Sequence, residues 1–270
     1  MPDDMQRVAI ISGWTGQLPD YVSDARANHR VYAAKHGYDY VWFDEKEISA
    51  LMGGARLTPQ STWWLKPYVL RSTLETGYDA VFWTDADSLF VNQSVGMEDL
   101  LESSASFIFA GDAWDLCSAG HLWFRNTSFT SRFLELWTDW ENVPVEDLAT
   151  THQNSDGTLG DQPALNILLR GGPLVSPVDA RFYFNQVNGY MGNKSRVHKF
   201  FRWTHSPTTR FGVKNAQRLI HADFGAECKV VPQARLNAYP FTLLPGIAAT
   251  KSSPIVHFPG EHKDKMSRFL

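Results

Sequence analysis

The chain has 270 residues, 43% hydrophobic and 20% charged, with 25 Lys and Arg against 29 Asp and Glu for a formal net charge of −4. This composition excludes intrinsic disorder and collagen-like structure, and the length permits a large core without disulfide staples. An acidic total offers no global basic field for nucleic acid. The two cysteines, Cys117 and Cys228, exclude a disulfide framework and a Cys-rich zinc site but leave one bridge open.

Met1-Pro2-Asp3-Asp4 is acidic and lacks the basic-then-apolar order of a signal peptide. No stretch is long and apolar enough to span a bilayer. Arg7 to Ser12 is a β-branched run ending in Gly13 and Gly16, which predicts a first strand and a loop. Residues 20–36 carry helical spacing closed by Gly37. Tyr38 to Phe43 is the next strand, Thr62 to Thr76 a helix closed by Gly77, and Ala80 to Trp83 a buried strand. This alternation predicts an α/β fold with a parallel sheet. Ser106–Ala110 and His121–Arg125 read as further strands, Thr130–Trp140 and Asp161–Leu169 as helices, and 142–160 as a polar loop. From about 171 few elements are legible. No repeat or linker appears, so one domain with an irregular C-terminal third is expected. Three sequons, at Asn92, Asn126 and Asn193, carry little weight because such triplets arise readily by chance.

Asp85-x-Asp87 lies between two apolar runs, Val81-Phe82-Trp83 and Leu89-Phe90-Val91. Ligands of open α/β sheets gather at the carboxyl ends of strands. Two carboxylates pinned there can reach one hard cation, and such cations hold phosphates. A departing pyrophosphate needs that neutralisation. The bland alternative is a pair of solvated turn carboxylates. Trp14, Trp114 and Trp203 sit in polar surroundings and are candidates for stacking on a sugar or base. Arg196 to Trp203 mixes basic and aromatic residues and reads as an acceptor-groove wall or a solvated strand, not a nucleic-acid surface.

Trp63-Trp64-x-Lys66-Pro67 leading to Phe82-Trp83-Thr84-Asp85-Ala86-Asp87-Ser88-Leu89-Phe90 resembles glycosyltransferase family 34, the galactosyl/xylosyl/mannosyltransferases that include xyloglucan xylosyltransferases. Further matching segments follow in order: Asn28–Ala33 with His36–Asp39, Ser118–Asn126, Gly160–Leu165, Asn188–Tyr190, Asn237–Pro240 and Val256–Gly260. The resemblance spans about residues 7–263. It implies a GT-A fold: one Rossmann-like α/β domain over 1–270 with a mainly parallel central sheet and helices on both faces. Residues 1–95 would be its nucleotide-binding half and 96–270 its donor-sugar and acceptor half.

The resemblance further implies a manganese-dependent enzyme, with magnesium as the alternative. It would move a hexose or pentose from a UDP-linked sugar to a glycan acceptor with retention of configuration. Asp85, Asp87 and His257 would be the metal ligands. Ser12, Thr15, Lys66, Asp85, Ala86, Ser118, Gly260 and Lys263 would contact the donor. Asp161 and Gln162 would lie at the transferred sugar, against the plainer reading of Asp161 as a helix N-cap. Lys263 adds charge at the diphosphate or, with Lys265, forms a solvated tail. Ser118 departs from the family's usual Asn, which weakens donor identity. Asp112, Trp114 and Asp115 close the donor pocket or cap a loop. Relatives of eukaryotic origin are Golgi-anchored, so the expected compartment is the cytoplasm for a chain with no anchor and the Golgi lumen for one whose anchor has been removed.

Three readings compete with a retaining transferase. An inverting GT-A transferase needs a carboxylate base, for which Asp161 is the candidate. A sugar-nucleotide nucleotidyltransferase needs a basic Gly-rich loop, and Ile11–Gly16 holds no Lys or Arg. A carbohydrate-binding module needs no Asp-x-Asp with a distant His.

Overall fold

The computed structural model describes residues 7–54, 57, 61–101, 103–111, 116–139, 141, 160–171, 210–240, 247–250 and 252–270. The expectations for Asp112, Trp114, Asp115, the loop 142–159, Asn188–Tyr190, Asn193 and Arg196–Trp203 fall outside these.

Strand β1 (Val8–Gly13) is buried along its whole length. Its apolar run has no polar alternation because both faces are covered, as in parallel sheets. Helix α1 (Asp20–His36) stops at Gly37, whose φ of 73° lets its N–H return to the last-turn carbonyls. Strand β2 (Asp39–Phe43) leads to α2 (Glu45–Leu51). Asp44 and Glu47 form a reciprocal capping box at the start of α2. The expected 62–76 helix is split. Ser61–Trp64 is a 3₁₀ turn, and α3 runs Leu65–Glu75. Pro67 causes the break. It has no N–H for the carbonyl four residues back, so regular α-helix cannot extend N-terminally through Trp63.

Strand β3 (Ala80–Thr84) is followed by β4 (Ser88–Phe90), α4 (Met97–Leu101), β5 (Phe107–Ala110), β6 (His121–Arg125) and α5 (Ser128–Thr138). Helix α5 starts two residues earlier than its apolar pattern because Thr127 caps it, accepting from Thr130 N. Helix α6 is Asp161–Leu169. The C-terminal third has more structure than expected: α7 (Arg210–Leu219), α8 (Ala222–Gly225), β7 (Cys228–Val231), α9 (Gln233–Leu236), β8 (Ile255–His257) and a 3₁₀ helix over Gly260–Phe269.

The main sheet has the order β2-β1-β3-β6-β5-β7. Only β6 runs against the others, pairing antiparallel with β3 and β5. Ribbon β4-β8 forms a second, antiparallel sheet. Period-two alternation sends side chains to two cores. Ala9, Ile11, Val81, Trp83 and Phe124 pack with α3, α5 and α6. Val8, Ile10, Phe82 and Trp123 pack with α1, α4 and α9. Helices therefore cover both faces, as expected. Cys117 and Cys228 are both buried and free, so the bridge left open by the sequence is not formed.

His29 of α1 is fully buried, with Nε2 2.9 Å from Ser88 O. Burial, opposed by that bond, holds its pKa down to about 4. The unfolded ring titrates near 6.5. Because the folded value is depressed, the native state resists protonation, and stability present above pH 6.5 is lost as pH falls toward 4. Between pH 7 and 5 this single group removes about 2 kcal/mol. The stability of His29→Gln, read by urea unfolding at both pH values, should fall less by about that amount. Equal losses in the variant and the parent would assign the acid sensitivity elsewhere.

Candidate active site

The acidic pair sits in the turn between β3 and β4, not within a strand. The turn is pinned by backbone bonds. Asp85 N–H donates to Gly120 O at 2.9 Å, and Phe258 N–H donates to Asp87 O at 2.8 Å. Register places His257 opposite Ser88 across the ribbon, so its ring arrives beside the two carboxylates. Among the described residues, Asp85, Asp87 and His257 form a group whose ligand atoms lie within 4.8 Å of one another.

Each of the three side chains has further contacts that orient it. Asp85 Oδ1 accepts from Trp83 Nε1 at 2.7 Å and lies 3.5 Å from Lys66 Nζ. Asp87 Oδ1 is 3.1 Å from His257 Nε2, and its Oδ2 is 3.0 Å from Lys263 Nζ. His257 Nδ1 lies 2.8 Å from Asn237 Oδ1. An amide oxygen can only accept, so Nδ1 carries a proton. A ring oriented this way would present Nε2 to a cation once that nitrogen is unprotonated. Two carboxylates and an imidazole fit a hard or borderline divalent ion such as manganese. Gly120 leaves room for this. A Cβ there would stand 3.2 Å from both Asp85 Oδ2 and His257 Cε1.

The electrostatics separate the two aspartates. Burial raises Asp85 above the usual carboxylate range, with Lys66 pulling the other way. Burial pushes Asp87 up too, but His257 and Lys263 outweigh it and hold its carboxyl well below that range. Burial would lower Lys66; Asp161 and Asp85 reverse this and keep it an ammonium. His121, adjoining the cluster with its ring edge-on to His257, is kept neutral by burial, and neither ring nitrogen has a hydrogen-bond partner among the described residues.

A cavity of about 550 Å³ opens beside the cluster. Its walls are the loop after β1 (Gly13 to Gly16), Glu45, Leu57, the start of α3 (Thr62, Trp63, Leu65, Lys66), Trp83, Asp85 to Asp87, and Lys263. Of the expected donor contacts, Thr15, Lys66, Asp85, Ala86 and Lys263 lie on these walls. Ser12 is buried within β1, and Ser118 is buried with its Oγ accepting from Gly120 N at 3.3 Å. Gly260 opens the C-terminal 3₁₀ helix at φ 61°. The walls include none of these three.

Asp161 and Gln162 open α6 and are not on the cavity walls. Gly160, not Asp161, is the N-cap of α6. The Asp161 carboxylate instead meets Lys66 Nζ at 2.7 Å. Gln162 Oε1 accepts from Ala119 N at 3.0 Å. Lys263 is no solvated tail, since Asp87 and the Tyr21 ring hold it. Asn237 and Glu45 were not singled out as site residues by the sequence. Asn237 stood only as a landmark in Asn237–Pro240, and Glu45 gave no signal beyond following the second strand.

The fold is that of GT-A glycosyltransferases. A glycosyltransferase involved in glycosylating the major capsid of PBCV-1 superposes with a TM-score of 0.57 at 12% identity, covering 97% of each chain. The galactosyltransferase LgtC, in complex with donor and acceptor sugar analogues, gives a TM-score of 0.43 at 8% identity, over 97% of this chain and 94% of that one. The bifunctional glycosyltransferase WbbM gives 0.42 at 12%, over 100% of this chain and 50% of that one. No family model and no curated protein matches the sequence. No helix of the described residues is long and apolar enough to cross a membrane.

The second contact of His257 can be tested directly. Asn237→Ala frees Nδ1 and should weaken manganese binding about tenfold, measured by calorimetric titration. Unchanged affinity would mean that the Asn237 bond does not orient a ligand.

Proposed function

We propose that the chain is a metal-dependent glycosyltransferase that moves a hexose or pentose from a UDP-linked sugar to a glycan acceptor with retention of configuration. The observation that carries this reading is the convergence of Asp85, Asp87 and His257 beside an open cavity at the carboxyl edge of a GT-A sheet. Those three residues would hold the cation, manganese by donor type. When bound, it neutralises the charge that gathers on the departing diphosphate.

The protein's own groups do the rest. Lys263 stands on the same wall and adds a cation at the leaving group. Thr15 and Ala86 line the cavity that would take the nucleotide, and Ser12 and Gly260 are the further donor contacts of this reading. Residues 1–95 form the nucleotide half, and 96–270 carry Ser118, Asp161 and Gln162 toward the sugar and acceptor.

The retaining assignment is supported by what Asp161 already touches. An inverting enzyme needs a carboxylate free to take the acceptor's proton. The Asp161 carboxylate is instead paired with the buried Lys66. A front-face substitution, in which the departing phosphate takes that proton, asks nothing of it. Gln162 is too weak a nucleophile for a covalent intermediate.

Asp85→Ala and Asp87→Ala should each retain the fold and lose transfer by at least about a thousandfold, because the leaving group is no longer neutralised. Activity persisting in either variant, or in excess chelator, counts against the metal reading. Starting from a UDP-α-sugar, the product should stay α by the proton NMR anomeric coupling. A β product together with a dead Asp161→Asn would make Asp161 the base and the enzyme inverting.

A further inference from the structure

Lys263 touches two side chains of different kinds. Its Nζ is 3.0 Å from Asp87 Oδ2 and lies 5.9 Å from the centroid of the Tyr21 ring. In the reading above the Asp87 carboxylate is also a metal ligand. A divalent ion on that carboxylate draws on the lone pairs that hold the ammonium and repels the ammonium itself. Lys263 then needs a second hold. Without one its side chain, 32% exposed, spreads over many rotamers, and any contact with a leaving group must first offset the entropy of ordering it.

Tyr21 is placed to give that hold. It stands in the first turn of α1 and is not itself a wall of the cavity. It touches two residues that are. One is Lys263, and the other is Trp14, whose ring it meets edge-on at 6.0 Å and 89°. Trp14 is fixed in turn, with Nε1 donating to Gln17 O at 3.0 Å. The body of Tyr21 packs on the small core of Ala25, Leu89, Val256, Phe258 and Met266, the same core that brings in the segment carrying Lys263. Burial raises the phenol above its ordinary pKa, with Lys263 opposing. The side chain is therefore neutral near pH 7. It offers the ammonium a ring face and hydroxyl lone pairs, not a full negative charge. Such a hold keeps the cation in place and leaves its charge for an anion.

We infer that Tyr21 is a positioning residue, which keeps Lys263 aimed at the departing diphosphate when a cation occupies Asp87. The inference rests on the nucleotide-sugar reading above and adds a residue that acts through Lys263. Tyr21 itself touches no substrate in this account. Its contribution is to hold one ammonium group between the loop after β1 and the C-terminal 3₁₀ helix.

A double-mutant cycle read by calorimetry tests this. The parent, Tyr21→Leu, Lys263→Met and the variant with both changes are titrated with manganese alone, and then with UDP in saturating manganese. Tyr21→Leu should weaken UDP about fivefold, equivalent to ~1 kcal/mol, with manganese affinity within about twofold of the parent. Tyr21→Phe keeps the ring and should lose about twofold at most. In the Lys263→Met background, Tyr21→Leu should change UDP binding by less than about 1.5-fold, because the group it positions is gone. Lost core packing would instead weaken UDP by the same factor in both backgrounds. UDP affinity unchanged in Tyr21→Leu, or an equal loss with and without Lys263, overturns the inference. So does parent-like UDP binding by Lys263→Met, since Tyr21 then has nothing to aim. If the parent binds manganese but none of UDP, GDP, CDP and ADP, the nucleotide-sugar reading itself fails.

Discussion

Asp87 is the point at which the two ends of the chain are joined. His257, 170 positions later, lies against its carboxylate, and Lys263 meets the other oxygen. The backbone of Asp87 accepts Phe258 N–H, and ribbon β4-β8 runs from there. The charges are not what holds this junction together. A buried ion pair can cost as much in desolvation as it returns. Phe258 and Met266, by contrast, are fully buried against Ala25, Leu89 and Val256. Each contributes about 1.5–3 kcal/mol. Apolar packing and backbone bonds therefore bring the C-terminal segment in, and the charged groups they carry are free to serve chemistry.

The charge balance that results is suited to a cation followed by an anion. Asp85, Asp87 and Asp161 face Lys66 and Lys263. Three carboxylates against two ammonium groups leave one negative charge among these five groups. That excess attracts a divalent ion. With the ion present the sign reverses, and the same pocket attracts a diphosphate. Lys66 is the hinge of this balance. Its pairing with both Asp85 and Asp161 links the metal cluster to the start of α6, so the charge of one is felt at the other.

Legibility in the sequence followed contact range. Strands β1, β3, β5 and β6 are apolar runs buried on both faces, and α1 ends at a glycine that needs its left-handed φ. Such signals are local and survive reading. The capping box at Asp44 and Glu47 and the apolar spacing of Val213 and Ala216 are equally local signals; they mark α2 and α7. Strands β4 and β8 hold three residues each, too few to show a period, and exist because they pair with one another. In the site, the resemblance anticipated the grouping of Asp85, Asp87 and His257. Residues alone gave only Asp85 and Asp87. Asp161, the hydrogen-bond partner of Lys66, lies 95 positions away, and no spacing rule reaches that far.

Gln162 shows how a single side chain can be placed for structure and chemistry together. Its Oε1 accepts Ala119 N–H. One turn later on α6, Asn166 takes Cys117 N–H and returns a bond to Cys117 O, both at 2.9 Å. These bonds fasten the Cys117–Gly120 turn to the helix. The same turn supplies the carbonyl that receives Asp85 N–H and the glycine that leaves room for the ligands. On the proposed reading the residue that braces this turn is also the one that lies at the transferred sugar. Substituting it would disturb both, so a loss of activity in Gln162→Ala alone could not assign its chemistry. A fall in turnover with manganese affinity unchanged would locate the effect at the sugar, whereas parallel losses would locate it in the turn.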